Sequence, residues 1–94
     1  MSIIEVLKKS EYTIKERFHV KQIGIFGSFA RGEEKGRSDI DILVQFQDGS
    51  KTFDNFMDLK YFLEELLERR VDLVTMEALK PQLKEDILHE VIYA

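Results

Sequence analysis

Residues 38–46 read Ser38-Asp39-Ile40-Asp41-Ile42-Leu43-Val44-Gln45-Phe46. The β-branched residues predict a strand over 40–46, which Gln47-Asp48-Gly49-Ser50 ends with turn chemistry. Side chains two apart on a strand share a face. Asp39 and Asp41 therefore point one way, while Ile40 and Ile42 can enter a core. Two carboxylates roughly 7 Å apart on one strand repel each other unless a cation lies between them. Mg²⁺ takes oxygen ligands, commonly one or two carboxylates completed by substrate phosphates. Two solvated acids at a strand end would show the same pattern, so the pair takes its meaning from what surrounds it.

Upstream, Val20 to Phe26 predicts a second strand, followed by Gly27-Ser28-Phe29-Ala30-Arg31-Gly32. Ser28 opens a short helix over 28–31, and the polar stretch 32–38 reads as a loop. Unpaired N–H groups at a helix start favour anions, and glycine lets backbone approach phosphate closely. Ser28 adds a hydroxyl, and Arg31 can bring its planar fork to the same side. Ser38 borders the carboxylates and is a supporting candidate. A serine-capped turn with a solvated arginine is the ordinary reading of this segment taken alone.

Downstream lies Arg70-Val71-Asp72-Leu73-Val74. A carboxylate in an apolar strand over 71–75 is costly unless paired or bound to metal. A salt bridge to Arg69 or Arg70 would satisfy Asp72. If its strand lies beside the Asp39/Asp41 strand, the same carboxylate reaches the same ions and can accept a hydroxyl proton.

Helical spacing predicts helices over 2–18, 53–69 and 82–93. Ser2 and Glu5 have capping-box spacing, and Pro81 suits a helix start. The stripe Phe53, Phe56, Met57 and Phe62 is expected in the core, the Arg69-Arg70 pair in solvent. The order α-β-α-β-α-β-α predicts an α+β fold, a small mixed β-sheet packed with helices, in one domain over 1–94. With no cysteine in the chain, a disulfide framework and thiolate metal ligands are excluded. The net charge of -4, with scattered basic residues, argues against a long nucleic-acid track. No apolar run approaches the roughly 20 residues of a membrane span, and the first residues do not read as a secretion signal. A cytoplasmic location and no membrane partner are expected.

In their order and spacing, Gly27, Ser28, Gly32, Asp39, Asp41 and Asp72 resemble the signature of the minimal nucleotidyltransferase family of the DNA polymerase β superfamily. Arg31 matches the Ala-Arg-Gly form of that motif, and the resemblance runs the length of the chain. It implies that Asp39 and Asp41 hold two Mg²⁺ ions around ATP. Gly27, Ser28 and Arg31 would hold the β- and γ-phosphates, with Ser38 at the margin. Asp72 would ligate the catalytic ion and help deprotonate an acceptor hydroxyl, which attacks the α-phosphate as pyrophosphate leaves. Positioning and charge neutralisation supply most of the rate in such transfers. Minimal members pair with a HEPN-type RNase toxin, and the resemblance implies an antitoxin that transfers AMP to a tyrosine of that partner. Two other readings fit the residues. One is a small-molecule or RNA nucleotidyltransferase completed by a separate subunit; the other is a binding module that silences a toxin by covering it.

Overall fold

The computed structural model describes residues 2–94. In chain order the elements are α1 (Ile3–Lys9), α2 (Glu11–Phe18), β1 (Val20–Phe26), α3 (Ser28–Arg31) and β2 (Ile40–Phe46). They are followed by α4 (Phe53–Leu67), β3 (Val71–Thr75), a 3-10 turn (Met76–Ala78), α5 (Pro81–Glu90) and β4 (Ile92–Tyr93). The strands form one sheet in the order β3-β2-β1-β4. β1 runs antiparallel to both β2 and β4, whereas β2 and β3 are parallel, so the sheet is mixed as expected.

The alternation along β2 decides which face is which. Ile40, Ile42 and Val44 are fully buried in the core with Ile23 and Ile25 of β1 and Val71 and Leu73 of β3. Leu7, Ile14 and Phe18 close that face from α1 and α2, and Leu59 and Leu63 close it from α4. A register shift between Val20 and Gln22 lets Val20 and Ile23, an odd step apart, both reach this core. Asp41 belongs to the opposite face by the period of two.

The helix expected over 2–18 is two helices broken at Ser10. Its N–H bonds back to Val6 and Leu7, and the bend brings Leu7 and Ile14 into one core. The Ser2/Glu5 capping box is present, and Pro81 occupies the first turn of α5. The helix expected over 53–69 stops at Leu67, where Glu68 turns left-handed at φ 53. Its buried face is Leu59, Leu63 and Leu67, while Phe53, expected in the core, is 77% exposed.

The helix expected over 82–93 ends at Glu90. Val91 is extended (φ -63, ψ 137), and Ile92–Tyr93 add an edge strand against Gly24 and Ile25. Two β-branched residues, Val91 and Ile92, favour that conformation, and β1 offered an unpaired edge to receive it. No residue of α5 is buried, so the apolar side expected of this helix is only partly covered.

Candidate active site

The parallel pairing of β2 with β3 sets Asp41 directly opposite Asp72, so both carboxylates leave the same face of adjacent strands. Asp39 lies one residue before β2, on the approach that Ile40 fixes through its N–H bond to the Arg70 carbonyl at 2.9 Å. Burial, followed by the negative charges of Asp72 and Asp39, holds the Asp41 carboxyl above the usual carboxylate range, against a smaller opposing pull from Arg31. The three aspartates expected from the sequence are thus one electrostatic cluster.

No ion pair among the described residues involves any of the three. The salt bridge that Arg69 or Arg70 could have offered Asp72 is not made. Arg69 stacks over the Phe29 ring, 5.2 Å from its centroid, and donates from Nη1 to the Gly36 carbonyl at 3.2 Å. Expected in solvent, it instead pins the loop between the two motifs. Carboxylate oxygens that form no salt bridge are donors of the kind a hard divalent cation accepts. Among the described residues, no group of three or more histidine, cysteine, aspartate or glutamate side chains is arranged to hold a metal ion by itself or otherwise stands out as a metal cluster.

Gly27 joins the carboxylates to the turn. It follows β1 with φ 72 and ψ -150 and caps α3, a backbone region essentially reserved to glycine. A Cβ at this position would collide with Asp41 Oδ2 and stand 3.0 Å from its Cγ. The turn therefore rests directly on the central carboxylate, and glycine is required there both for dihedral angles and for space. Ser28 begins α3, and its hydroxyl makes no hydrogen bond to protein among the described residues. Ser38 Oγ accepts the Lys35 N–H at 2.9 Å and so shapes the loop entering the Asp39 strand.

Glu90 went unrecognised in the sequence. Its Oε1 accepts the Gly27 N–H at 2.8 Å and an Arg31 Nη1–H at 3.3 Å, and its Oε2 accepts from Arg31 Nη1 at 3.0 Å. Arg31 Nε donates to Glu33. The Gly27 N–H and two edges of Arg31 are thus committed to carboxylates, while the Arg31 Nη2 hydrogens have no protein acceptor among the described residues. On the other side of the cluster, open grooves of about 570 and 530 Å³ flank Asp39. The first runs past Arg37, Ser38 and Arg69; the second runs between Asp72, Lys60 and Glu64.

A mixed sheet that sets an Asp-x-Asp strand against a third aspartate, with a Gly-Ser turn packed on the middle carboxylate, defines a nucleotidyl-transferring domain. A family model described as the nucleotidyltransferase domain matches residues 7–94. The chain belongs to that family, in its minimal branch, and is a nucleotidyltransferase. It is 43% identical over 91 residues to protein adenylyltransferase MntA of Thermococcus cleftensis, covering 97% of this chain and 91% of the relative. Among solved structures, a minimal nucleotidyltransferase superposes with a TM-score of 0.80 at 37% identity, over 98% of this chain and 95% of the other. A chain from a toxin–antitoxin crystal structure with AMP-PNP superposes with a TM-score of 0.68 at 25% identity, over 98% of this chain and 68% of that one.

Proposed function

We propose that this chain is the antitoxin of a toxin–antitoxin pair, and that it silences a HEPN-type toxin by transferring AMP from ATP to a tyrosine hydroxyl. The observation that carries the reading is the cluster of Asp39, Asp41 and Asp72, which makes no salt bridge among the described residues, beside a turn whose serine hydroxyl is uncommitted among them. The full-length similarity to a protein adenylyltransferase supports protein as the acceptor class. The similarity to a toxin–antitoxin structure containing a nucleotide analogue supports the partner.

In this reading Asp39, Asp41 and Asp72 would hold two Mg²⁺ ions beside the triphosphate. When bound, the ions neutralise the triphosphate and make a hydroxyl more acidic. The Ser28 hydroxyl, the backbone at the start of α3 and the Arg31 Nη2 hydrogens grip the β- and γ-phosphates, with Gly27 giving the turn its close approach. Ser38 holds the loop that delivers Asp39. The acceptor enters by the grooves on the β3 side, where Asp72 takes its proton. The acceptor oxygen then forms a bond to the α-phosphorus, the bond from that phosphorus to the bridging oxygen breaks, and pyrophosphate carries the electron pair away. A tyrosine has a solution pKa of about 10, so both the proton acceptor and the charge beside it matter at neutral pH.

Transfer from ATP labelled at the α-phosphate, offered a HEPN partner, RNA and small hydroxyl compounds in separate reactions, tests the proposal. Label on the partner protein, dependent on Mg²⁺ and lost in an Asp39→Ala/Asp41→Ala variant, is the expected result. Label on RNA or a small molecule alone would overturn the protein acceptor. A tight complex that inhibits the toxin without any label would replace transfer by covering.

A further inference from the structure

Glu90 carries an inference that rests on the proposed nucleotide site and goes beyond it. In the β1–β4 ladder Gly24 pairs with Tyr93 and Ile25 with Ile92, so the same register sets Glu90 opposite Gly27. Backbone pairing has stopped there, because Glu90 is the last residue of α5. The side chain takes over: Oε1 receives the Gly27 N–H that a strand carbonyl would otherwise accept, at 2.8 Å. The same carboxylate receives Arg31 Nη1 on both oxygens, at 3.3 and 3.0 Å. One group thus fixes both ends of α3.

We infer that Glu90 is a positioning residue for the nucleotide. It holds the Gly27-Ser28 turn down on Asp41 and orients the Arg31 guanidinium so that its Nη2 edge faces the phosphates. Two features give the contact this weight. Gly27 lies against Asp41, so a turn that drifts also releases the metal-binding carboxylate from its packing. Arg31 is half exposed, with a side chain 49% accessible, and an arginine so placed has many rotamers to lose on binding phosphate. Two anchored nitrogens, Nη1 on Glu90 and Nε on Glu33, remove that freedom before the nucleotide arrives. A carboxylate beside a triphosphate also repels it, so the rival role for Glu90 is a competitor that must withdraw before ATP binds. The two roles predict opposite signs.

The experiment measures Mg²⁺–ATP affinity by calorimetry, with KM and kcat for AMP transfer, in wild type, Glu90→Ala, Glu90→Gln, Arg31→Ala and the Glu90→Ala/Arg31→Ala double variant. Groups that orient a liganding side chain commonly contribute about 10–100-fold to affinity or activity. Glu90→Ala is expected to weaken ATP about tenfold, mainly through KM. Glu90→Gln keeps an acceptor for Gly27 and should recover most of the loss. In the Arg31→Ala background, Glu90→Ala should cost clearly less than it does alone. Tighter ATP binding by either Glu90 variant would overturn positioning in favour of competition. A lowered Tm with unchanged KM, or additive losses in the double variant, would reduce Glu90 to a structural tie. Should Glu90→Ala not fold, Glu90→Gln and its double variant with Arg31→Ala decide by the same signs. Wild type that binds no Mg²⁺–ATP would overturn the nucleotide site itself and this inference with it. Wild type that binds, and loses binding in Asp39→Ala/Asp41→Ala, leaves Glu90 to be judged alone.

Discussion

Substituting Gly27 by alanine should damage stability and chemistry together, and two neighbouring glycines allow the causes to be separated. At φ 72 and ψ -150 an L-residue is strained by about 1–3 kcal/mol. The new methyl would also collide with Asp41 Oδ2. Either the turn or the carboxylate must move, and a misplacement of about 1 Å near the reacting atoms costs on the order of 10²-fold in rate. Gly32 shares the positive dihedral, φ 70, but nothing lies within 4 Å of a Cβ there. Gly32→Ala should lose about 1–2 kcal/mol of stability and keep its rate in the folded enzyme. Gly36 has neither constraint, so Gly36→Ala should behave as wild type in both respects. Urea unfolding gives the stabilities, and AMP transfer well below each midpoint gives the rates. A Gly27→Ala enzyme as fast as Gly32→Ala would refute the claim that the turn rests on Asp41.

Asp41→Asn should abolish transfer yet stabilise the metal-free protein at neutral pH. Burial and two neighbouring carboxylates raise the folded-state pKa of Asp41, so its charged form disfavours folding above that pKa. The advantage of the asparagine should shrink as pH falls through the raised pKa and vanish below the reference value of 3.8, as thermal unfolding in chelator at several pH values would reveal. An advantage that persists in acid would place its origin outside the Asp41 charge. Ser28→Ala should cost about 2.7–4 kcal/mol of transition-state stabilisation and leave a measurable rate, since backbone donors persist. Asp41→Asn retaining more activity than Ser28→Ala in a single-turnover assay would reverse the assigned roles. Leu63→Ala, at a site with 0% exposure, should destabilise by about 2–5 kcal/mol in urea without changing KM for ATP. A changed KM would tie this side of α4 to the nucleotide.

The sheet and the placement of the candidate site residues were legible where one periodicity or one motif was decisive. The alternation of Ile40, Asp41 and Ile42 assigns a strand, its buried face and the face that carries the carboxylate at once. Asp72 could be placed beside Asp41 only on condition that β3 adjoins β2, because side-chain period says nothing about which strands pair. The end of the chain was misread for a related reason. Leu83, Ile87, Leu88 and Val91 satisfy a helical spacing, and only the open edge of β1 selects a strand at Ile92 and Tyr93. One signal was present: Gly24, inside β1, has the Ile92 carbonyl 2.7 Å from where a Cβ would be. A glycine inside a strand marks a close approach by another backbone. Glu90 carried no local signal, since its partners are 59 and 63 residues away. The break at Ser10 was hidden because both halves keep a helical pattern, and only the shared core of Leu7 and Ile14 requires the bend.

The central claim is that these aspartates move AMP onto a protein, and intact-mass spectrometry of the partner tests it most directly. A co-expressed HEPN-type toxin, purified with this chain and incubated with ATP and Mg²⁺, should gain mass in whole AMP units, located by fragmentation to a tyrosine. The gain should be absent with Asp39→Ala/Asp41→Ala. A partner of unchanged mass, in a reaction where the wild-type chain demonstrably binds Mg²⁺–ATP, would contradict the account.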